Sequence, residues 1–319
     1  MKTVVFLQEL VDAELRPGDL TDQFQRLTSE AVAALVAGAL VEVNCPACGD
    51  RSSTPAFAKL GLAYRQCGAC ASVFASPRPQ AAALAEYYQS SPPALFWRDR
   101  ILPATREART LKLAQPRAEW IADGVSEHCP KALSVVDVSS AGTPVIDALA
   151  RLTPALRFSA ADALSPGHYI GAEASVDVVV AFDVLDRIAD VATFVDHVHR
   201  TLRPGGLLFL ATPSISGFDL QALWDRSDAI LPPDKLNLPS IAGLRRLFAA
   251  PRWEIIELST PGMFDVENVR QAIMANPDAD WPRAVREIVM QDDRARLELQ
   301  AYLQRHLLAS FARLIVRRR

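Results

Sequence analysis

Four of the five cysteines are spaced for metal chemistry. They fall as Cys45-x-x-Cys48 and Cys67-x-x-Cys70, with eighteen residues between the pairs. Each pair lets two thiolates converge on one side of a tight turn, and two such turns close a tetrahedron around a soft cation such as zinc. The alternative is four reduced thiols whose spacing is fortuitous. A four-sulfur cage has no open coordination position, so the metal it implies is structural rather than catalytic. Cys129 stands apart as a partly buried bystander. A second stretch, "VVDVSSAGTPVIDALA" from Val135 to Ala150, has the outline of a loop that cradles a nucleotide-like ligand: apolar strand, small-residue turn, helix. Its turn is Ser139, Ser140, Ala141, Gly142 and Thr143, with one glycine where such loops carry several. Glycines there permit positive φ and let the backbone approach a ligand without a Cβ. Ser and Ala add little bulk, whereas β-branched Thr143 resists positive φ. Carboxylates follow at Asp162 in "AADALSP" and Asp183 in "VDVVVAFDVLDRI".

These residues need a scaffold, and 319 residues suffice for one large domain with accessory modules. A net charge of −3, with no Lys/Arg-rich face around the cysteines, argues against nucleic-acid binding. Arg317-Arg318-Arg319 read as a solvated tail. No window approaches the length of a spanning apolar helix, and "MKTVVFLQEL" is too short to be a signal peptide, so a cytoplasmic protein with no membrane contact is expected. Residues 1–44 read as two helices, "TVVFLQELVDAEL" and "TSEAVAALVAGAL", the second opening at Thr28 or Ser29. A ribbon spans 45–79, its end broken by the prolines of "ASPRPQ". A helical connector covers 80–130, interrupted at Pro103 and Pro116. Its Phe96, Trp97 and Trp120 read as packing against the next domain, with a substrate pocket as the alternative. From 131 to 319 strands and helices alternate, which predicts an α/β domain with a doubly wound, mainly parallel sheet; a helical insert occupies 262–310 and "SFARLIVRR" returns as a strand. Ligands of such sheets lie at the carboxyl ends of the strands.

The run from the strand ending in Asp137 to "TLRPGGLLFLATP" resembles a class I S-adenosylmethionine-dependent methyltransferase of Rossmann-like fold, over roughly 131–260. The whole chain is similar to a branch with an N-terminal zinc ribbon, whose members methylate sugars of surface polysaccharides, sugar nucleotides and natural-product intermediates. The resemblance implies that Asp137, Ser139, Ala141, Gly142, Asp162 and Asp183 bind S-adenosylmethionine. Asp137 then shapes the loop and meets the methionine end, and Asp162 hydrogen-bonds the ribose; a turn or helix-cap Asp is the competing reading of Asp162. Cys45, Cys48, Cys67 and Cys70 then hold structural zinc.

The chain departs from the family at three places. Only thirteen residues separate Asp162 from Val176, too few for the usual helix, strand and connection, so the sheet is expected to lack one edge strand and the adenine site one wall. Where the branch reads Leu-Glu-His, this chain has Leu185-Asp186-Arg187, and where a His often precedes Leu-Asn it has Lys235. His128, His168, His197, His199 and His306 match no base position of the family and read as surface or interface residues. The catalytic residue is therefore unassigned. The expected function is a methyltransferase for a small molecule, a sugar or natural-product intermediate. The alternative is an inactive methyltransferase-like protein that serves as partner subunit or scaffold. A protein partner or a homo-oligomer fits either.

Overall fold

The computed structural model describes residues 12–139, 144–164 and 170–319. Most of the first expected helix therefore lies outside the described residues, as do Ala141, Gly142, Thr143 and His168. The second helix spans Gly18–Val36 and starts ten residues before the position expected for it. Pro17 fixes the entry, and the Thr21 hydroxyl donates to the Pro17 carbonyl at 2.9 Å. Ser29 is not a cap; it sits mid-helix and its hydroxyl donates back to the Gln25 carbonyl.

The ribbon is built from β2 (Ser53–Lys59), β3 (Leu62–Cys67) and β4 (Val73–Ala75), after a short β1 (Leu40–Val41). A two-residue turn, Leu60-Gly61, joins β2 to β3 with both residues at positive φ, the geometry that matches the twist of a hairpin. The "ASPRPQ" prolines do not end regular structure outright: β5 (Arg78–Pro79) pairs with β1. The fourth strand of the ribbon sheet comes from far along the chain. It is β10 (Asn237–Leu238), antiparallel to β4 through Asn237 and Phe74.

Arg78 binds the two parts together. Its side chain is almost wholly buried, at 1% exposure. Nε donates to the Ala75 carbonyl, one terminal nitrogen to Ala189 and the other to Leu236. Arg78→Met keeps the apolar stem but removes three hydrogen bonds to buried carbonyls, of which Leu236 keeps a second donor, the Ala75 N–H at 2.8 Å. It is expected to cost about 3 kcal/mol or more in urea unfolding, since each orphaned buried group costs about 1–3 kcal/mol. An unchanged midpoint would remove Arg78 from this role.

Between ribbon and main sheet a nearly continuous helical run extends from Pro92 to His128. The prolines at 103 and 116 do not interrupt it as expected. The residue before each proline closes a widened i→i+5 turn: Leu102 N–H bonds to Trp97 O, and Gln115 N–H to Thr110 O. A π turn relaxes the i−4 contact that a proline ring would otherwise strike.

Among the described residues the main sheet has six strands, β6 (Ser134–Asp137), β7 (Arg157–Ala160), β8 (Val176–Phe182), β9 (Leu202–Pro213), β11 (Trp253–Ser259) and β12 (Phe311–Arg318). Their order is β11-β12-β9-β8-β6-β7, parallel from β9 through β7 and antiparallel on both sides of β12. β7 is the edge of this six-stranded, mostly parallel α/β sheet among the described residues. Every residue of β8, "VDVVVAF", is buried, as expected of a central strand covered on both faces. Helices Gln115–His128 and Pro144–Leu152 pack on one face through Ala118, Ile121, Val145 and Leu149. Helices Val191–Thr201 and Ile241–Leu247 cover the other through Phe194, Val198 and Leu244. The Arg-Pro-Gly-Gly stretch loops out of register between Leu202 and Leu207 while β8 advances from Val176 to Val178. Gly205 takes φ +82° there. The terminal arginines are not simply a solvated tail. Arg317 and Arg318 belong to β12, and Arg317 pairs with Glu254 at 3.1 Å. No described helix is long and apolar enough to cross a membrane.

Candidate functional site

The four cysteine sulfurs lie within 4.8 Å of one another. Cys45 Sγ is 3.6 Å from Cys70 Sγ, and Cys48 Sγ is 3.6 Å from Cys67 Sγ. A tetrahedral zinc with Zn–S near 2.3 Å sets its sulfurs about 3.8 Å apart, so this cage fits the ion. The backbone supports it. Gly49 N–H donates to Cys45 O and Ala71 N–H to Cys67 O, closing one turn at each knuckle. Gly49 and Ala71 both take positive φ.

A cleft of ≈ 1490 Å³ opens at the carboxyl ends of the parallel strands. Single-ligand pockets run about 300–1,000 Å³, so this one has room for two molecules side by side. Asp137, Ser139, Asp162 and Asp183 all line it. Asp137 is buried at the end of β6, and its Oδ1 accepts the Ser139 N–H at 2.9 Å, which bends the chain into the loop. The Ser139 Oγ accepts the Phe182 N–H at 3.0 Å. It thus ties the loop to the end of β8 and keeps its own O–H proton to donate. Asp162 stands exposed past the end of β7, and its Oδ1 accepts the Leu164 N–H at 3.0 Å. It is a turn residue that also faces the cleft. Asp183 takes φ +56°, an αL position that Asp tolerates better than most residues. Its carboxylate receives Arg117 at 3.3 Å, and the Arg117 guanidinium lies 5.0 Å from the Phe182 ring centroid and 5.4 Å from that of Phe311. Arg117 was not singled out in the sequence; the signal for it is an arginine on the helix after the second π turn.

Beyond β8 the two positions that depart from the branch pattern meet in space. Lys235 Nζ pairs with Asp186, whose side chain is fully buried. Arg187 pairs with Asp234 at 3.5 Å. Burial pushes the Asp186 carboxyl up, and Lys235 works against that shift. Of the connector aromatics, Trp120 is core: it stacks on Phe182, meets Phe209 edge-on, and its Nε1 donates to Glu257 at 3.2 Å. Phe96 is also buried, but Trp97 lines the cleft beneath Arg109, whose guanidinium carbon sits 5.0 Å from its ring centroid. Of the described histidines none lines the cleft. His199 packs edge-on against Trp253 at 4.9 Å, and burial lowers its pKa.

Residues 82–258, more than half of the chain, match a family model described as a methyltransferase domain. Over 42 residues the chain is 50% identical to a "Probable S-adenosylmethionine-dependent methyltransferase" of Mycolicibacterium smegmatis. That stretch is 13% of this chain and spans only 16% of that relative's length. Solved structures of similar fold include the plantazolicin methyltransferase BpumL in complex with SAH, at 9% identity and TM-score 0.45, covering 75% of this chain and 95% of that one. Another is geranyl diphosphate methyltransferase in complex with SAM, at 15% identity and TM-score 0.39, covering 67% and 90%. By the match across its connector and central sheet, this chain belongs to the methyltransferase-domain family.

Proposed function

We propose that the chain is an S-adenosylmethionine-dependent methyltransferase acting on a small-molecule acceptor, a sugar or natural-product intermediate. The observation that supports it is the convergence of Asp137, Ser139, Asp162 and Asp183 on one cleft at the carboxyl ends of β6, β7 and β8. In this reading Asp162 holds the ribose hydroxyls, and Asp137 with the Ser139 hydroxyl holds the methionine end. Ala141 and Gly142, which lie outside the described residues, join this set on the sequence resemblance alone. When bound, S-adenosylmethionine supplies an electrophilic methyl on a sulfonium; the protein's task is to align the acceptor in line with it. We also infer that Cys45, Cys48, Cys67 and Cys70 hold a structural zinc, on the fit of the sulfur cage.

Isothermal titration of S-adenosylmethionine and S-adenosylhomocysteine into zinc-loaded protein tests the reading. Binding in the micromolar range is expected, and Asp162→Ala should weaken it by about tenfold or more, the worth of a charge-assisted hydrogen bond. Absence of binding at millimolar ligand with the protein folded would sink catalysis by the chain alone. The scaffold reading would then stand, supported by the shortened sheet edge at β7 beside the place where an adenine wall is expected.

A further inference from the structure

The charges that line the cleft are sorted by the elements that supply them. The N-terminal and connector helices contribute Arg16, Arg98, Arg106, Arg109 and Arg117, and among the described residues they contribute no acid to its lining. The sheet and its loops contribute Asp137, Asp147, Asp162, Asp183 and Asp234. Three cations accompany those acids, Arg151, Arg187 and Lys235, and the last two are committed to Asp234 and Asp186. The cleft thus has an acidic half at the strand ends and a guanidinium half on the helices.

Asp183 is shared between two of these guanidiniums. It meets Arg117 at 3.3 Å and attracts Arg109 from farther away. Arg98 turns to Asp99, which does not line the cleft. Arg109 and Arg117 are half-buried, whereas Arg16, Arg98 and Arg106 stand exposed. Arg109 is also held in place: it donates to Thr105 Oγ1 at 2.8 Å and to the Leu15 carbonyl at 3.1 Å, and it rests on the Trp97 ring. Arg106 lies three residues before it on the same short helix, so the two share a face. Burial lowers the Arg109 pKa, and Arg16 and Arg117 add to that shift against the pull of Asp183. Like charges gathered on a partly desolvated wall oppose one another, so a further anion among them is favourable.

S-adenosylmethionine carries a sulfonium and an ammonium against one carboxylate, so its net positive charge suits the acidic half. The cleft of ≈ 1490 Å³ has room for a second molecule, and that molecule meets the guanidiniums. A carboxylate brings one charge. A phosphoryl group brings about two, on three acceptor oxygens, and the planar forks of neighbouring arginines match it. We propose that the acceptor carries a phosphoryl group, as a phosphate monoester or a diphosphate, held by Arg106 and Arg109; this rests on the methyltransferase reading above. Arg16 and Arg98, exposed on the same helical side, draw the anion in. Arg117, tied to Asp183, marks where the guanidinium half meets the acidic one.

The test is calorimetric titration of glucose 1-phosphate, pyrophosphate, glucuronate and glucose at constant ionic strength. It is run on the protein alone and on protein loaded with S-adenosylhomocysteine. At least one of the two phosphates is expected to bind about tenfold or more tightly than glucuronate, with glucose weaker still, and loading should leave that binding within about twofold. Arg109→Gln should weaken it by about tenfold or more, and Arg109→Lys, which keeps the charge, should recover part. Arg106→Gln, at an exposed position, should weaken it by about threefold or more and serves where Arg109→Gln disturbs the fold. All three variants should hold S-adenosylhomocysteine within about twofold of the parent. The proposal is overturned if neither phosphate outbinds glucuronate, or if both glutamine variants spare phosphate binding. It is equally overturned if S-adenosylhomocysteine displaces the phosphate, or if the variants lose S-adenosylhomocysteine instead, since either result gives these arginines to the cofactor. Phosphates bound through Arg106 and Arg109 by a protein that fails to bind S-adenosylhomocysteine would sink the methyltransferase reading and the acceptor assignment with it.

Discussion

Stripping the metal from the cysteine cage is expected to unfold the ribbon and loosen the cleft with it. The ribbon's own core is small: Cys45, Ala47, Cys67, Cys70 and Phe74. A module of this size buries too little apolar surface to hold itself, and structural zinc supplies apparent free energies of about 10–16 kcal/mol in comparable small domains. Damage should spread through β4, which pairs with β10. Asn237 in β10 donates from its side chain to the Leu185 and Ile188 carbonyls at 2.9 and 2.8 Å, which fixes the segment bearing Asp186 and Arg187. Chelation, or Cys45→Ser, should therefore remove hydrogen-exchange protection from β3, β4 and β10 first, and lower the melting temperature by ten degrees or more, on the order of several kcal/mol. Protein that contains no zinc by atomic absorption yet melts unchanged with chelator would end the zinc assignment.

The sequence carried much of this arrangement because the signals involved are local. β-branched runs such as "VDVVVAF" alternate with helical periods, and two Cys-x-x-Cys pairs announce their cage at close range. That β7 forms the sheet edge among the described residues was legible by length alone, from the thirteen residues between Asp162 and Val176. What stayed hidden is what depends on distant partners. Arg187 and Lys235 look in sequence like two separate losses of histidine, but each is tied to the other's segment by an ion pair, Arg187 to Asp234 and Lys235 to Asp186 across 49 positions. Arg78 gave no sign that it spans ribbon and sheet. Pro103 and Pro116 carry the usual signal for a helix break, and only the π turns ahead of them show why the helix survives. The strand character of Arg317 and Arg318 is set by pairing with Glu254 and Trp253 of β11, which a run of arginines does not advertise.

Stability should fall, not rise, as the pH is brought from about 5 to about 8, because of a buried pair of aspartates outside the cysteine cage. Asp219 and Asp265 join three elements near the cleft: helix Phe218–Leu223, helix Asp265–Ala275 and the start of β12. Asp265 accepts the Ser310 N–H at 2.6 Å and the Gln300 amide at 2.9 Å, while Asp219 accepts the Asn268 amide at 2.7 Å. Gly217 packs so tightly on Ser310 that a Cβ would lie 2.1 Å from its Cα, so the group has no room to spread apart. Burial, followed by the charge of Asp219, raises the Asp265 carboxyl from an ordinary 3.8 to about 7; burial raises Asp219 as well. The folded chain thus holds a proton that the unfolded chain releases near pH 3.8. The contribution is fully present below that pH, is lost progressively as pH rises toward about 7, and is level above it. For Asp265 the linkage amounts to about 4 kcal/mol between the two limits. Asp219→Asn replaces one charge with an amide whose N–H can serve the neighbouring carboxylate. The variant should lose part of this pH dependence, since burial of Asp265, the larger cause, remains, and should exceed the parent in urea stability at about pH 8 while differing little at about pH 5. Since Phe264, next to Asp265, lines the cleft, the parent's 262–310 insert should also exchange amide hydrogens faster at the higher pH, relative to intrinsic rates, than that of the variant. A parent whose stability holds or increases over the same range, with the variant following it in parallel, would show that the two carboxyls do not share a proton.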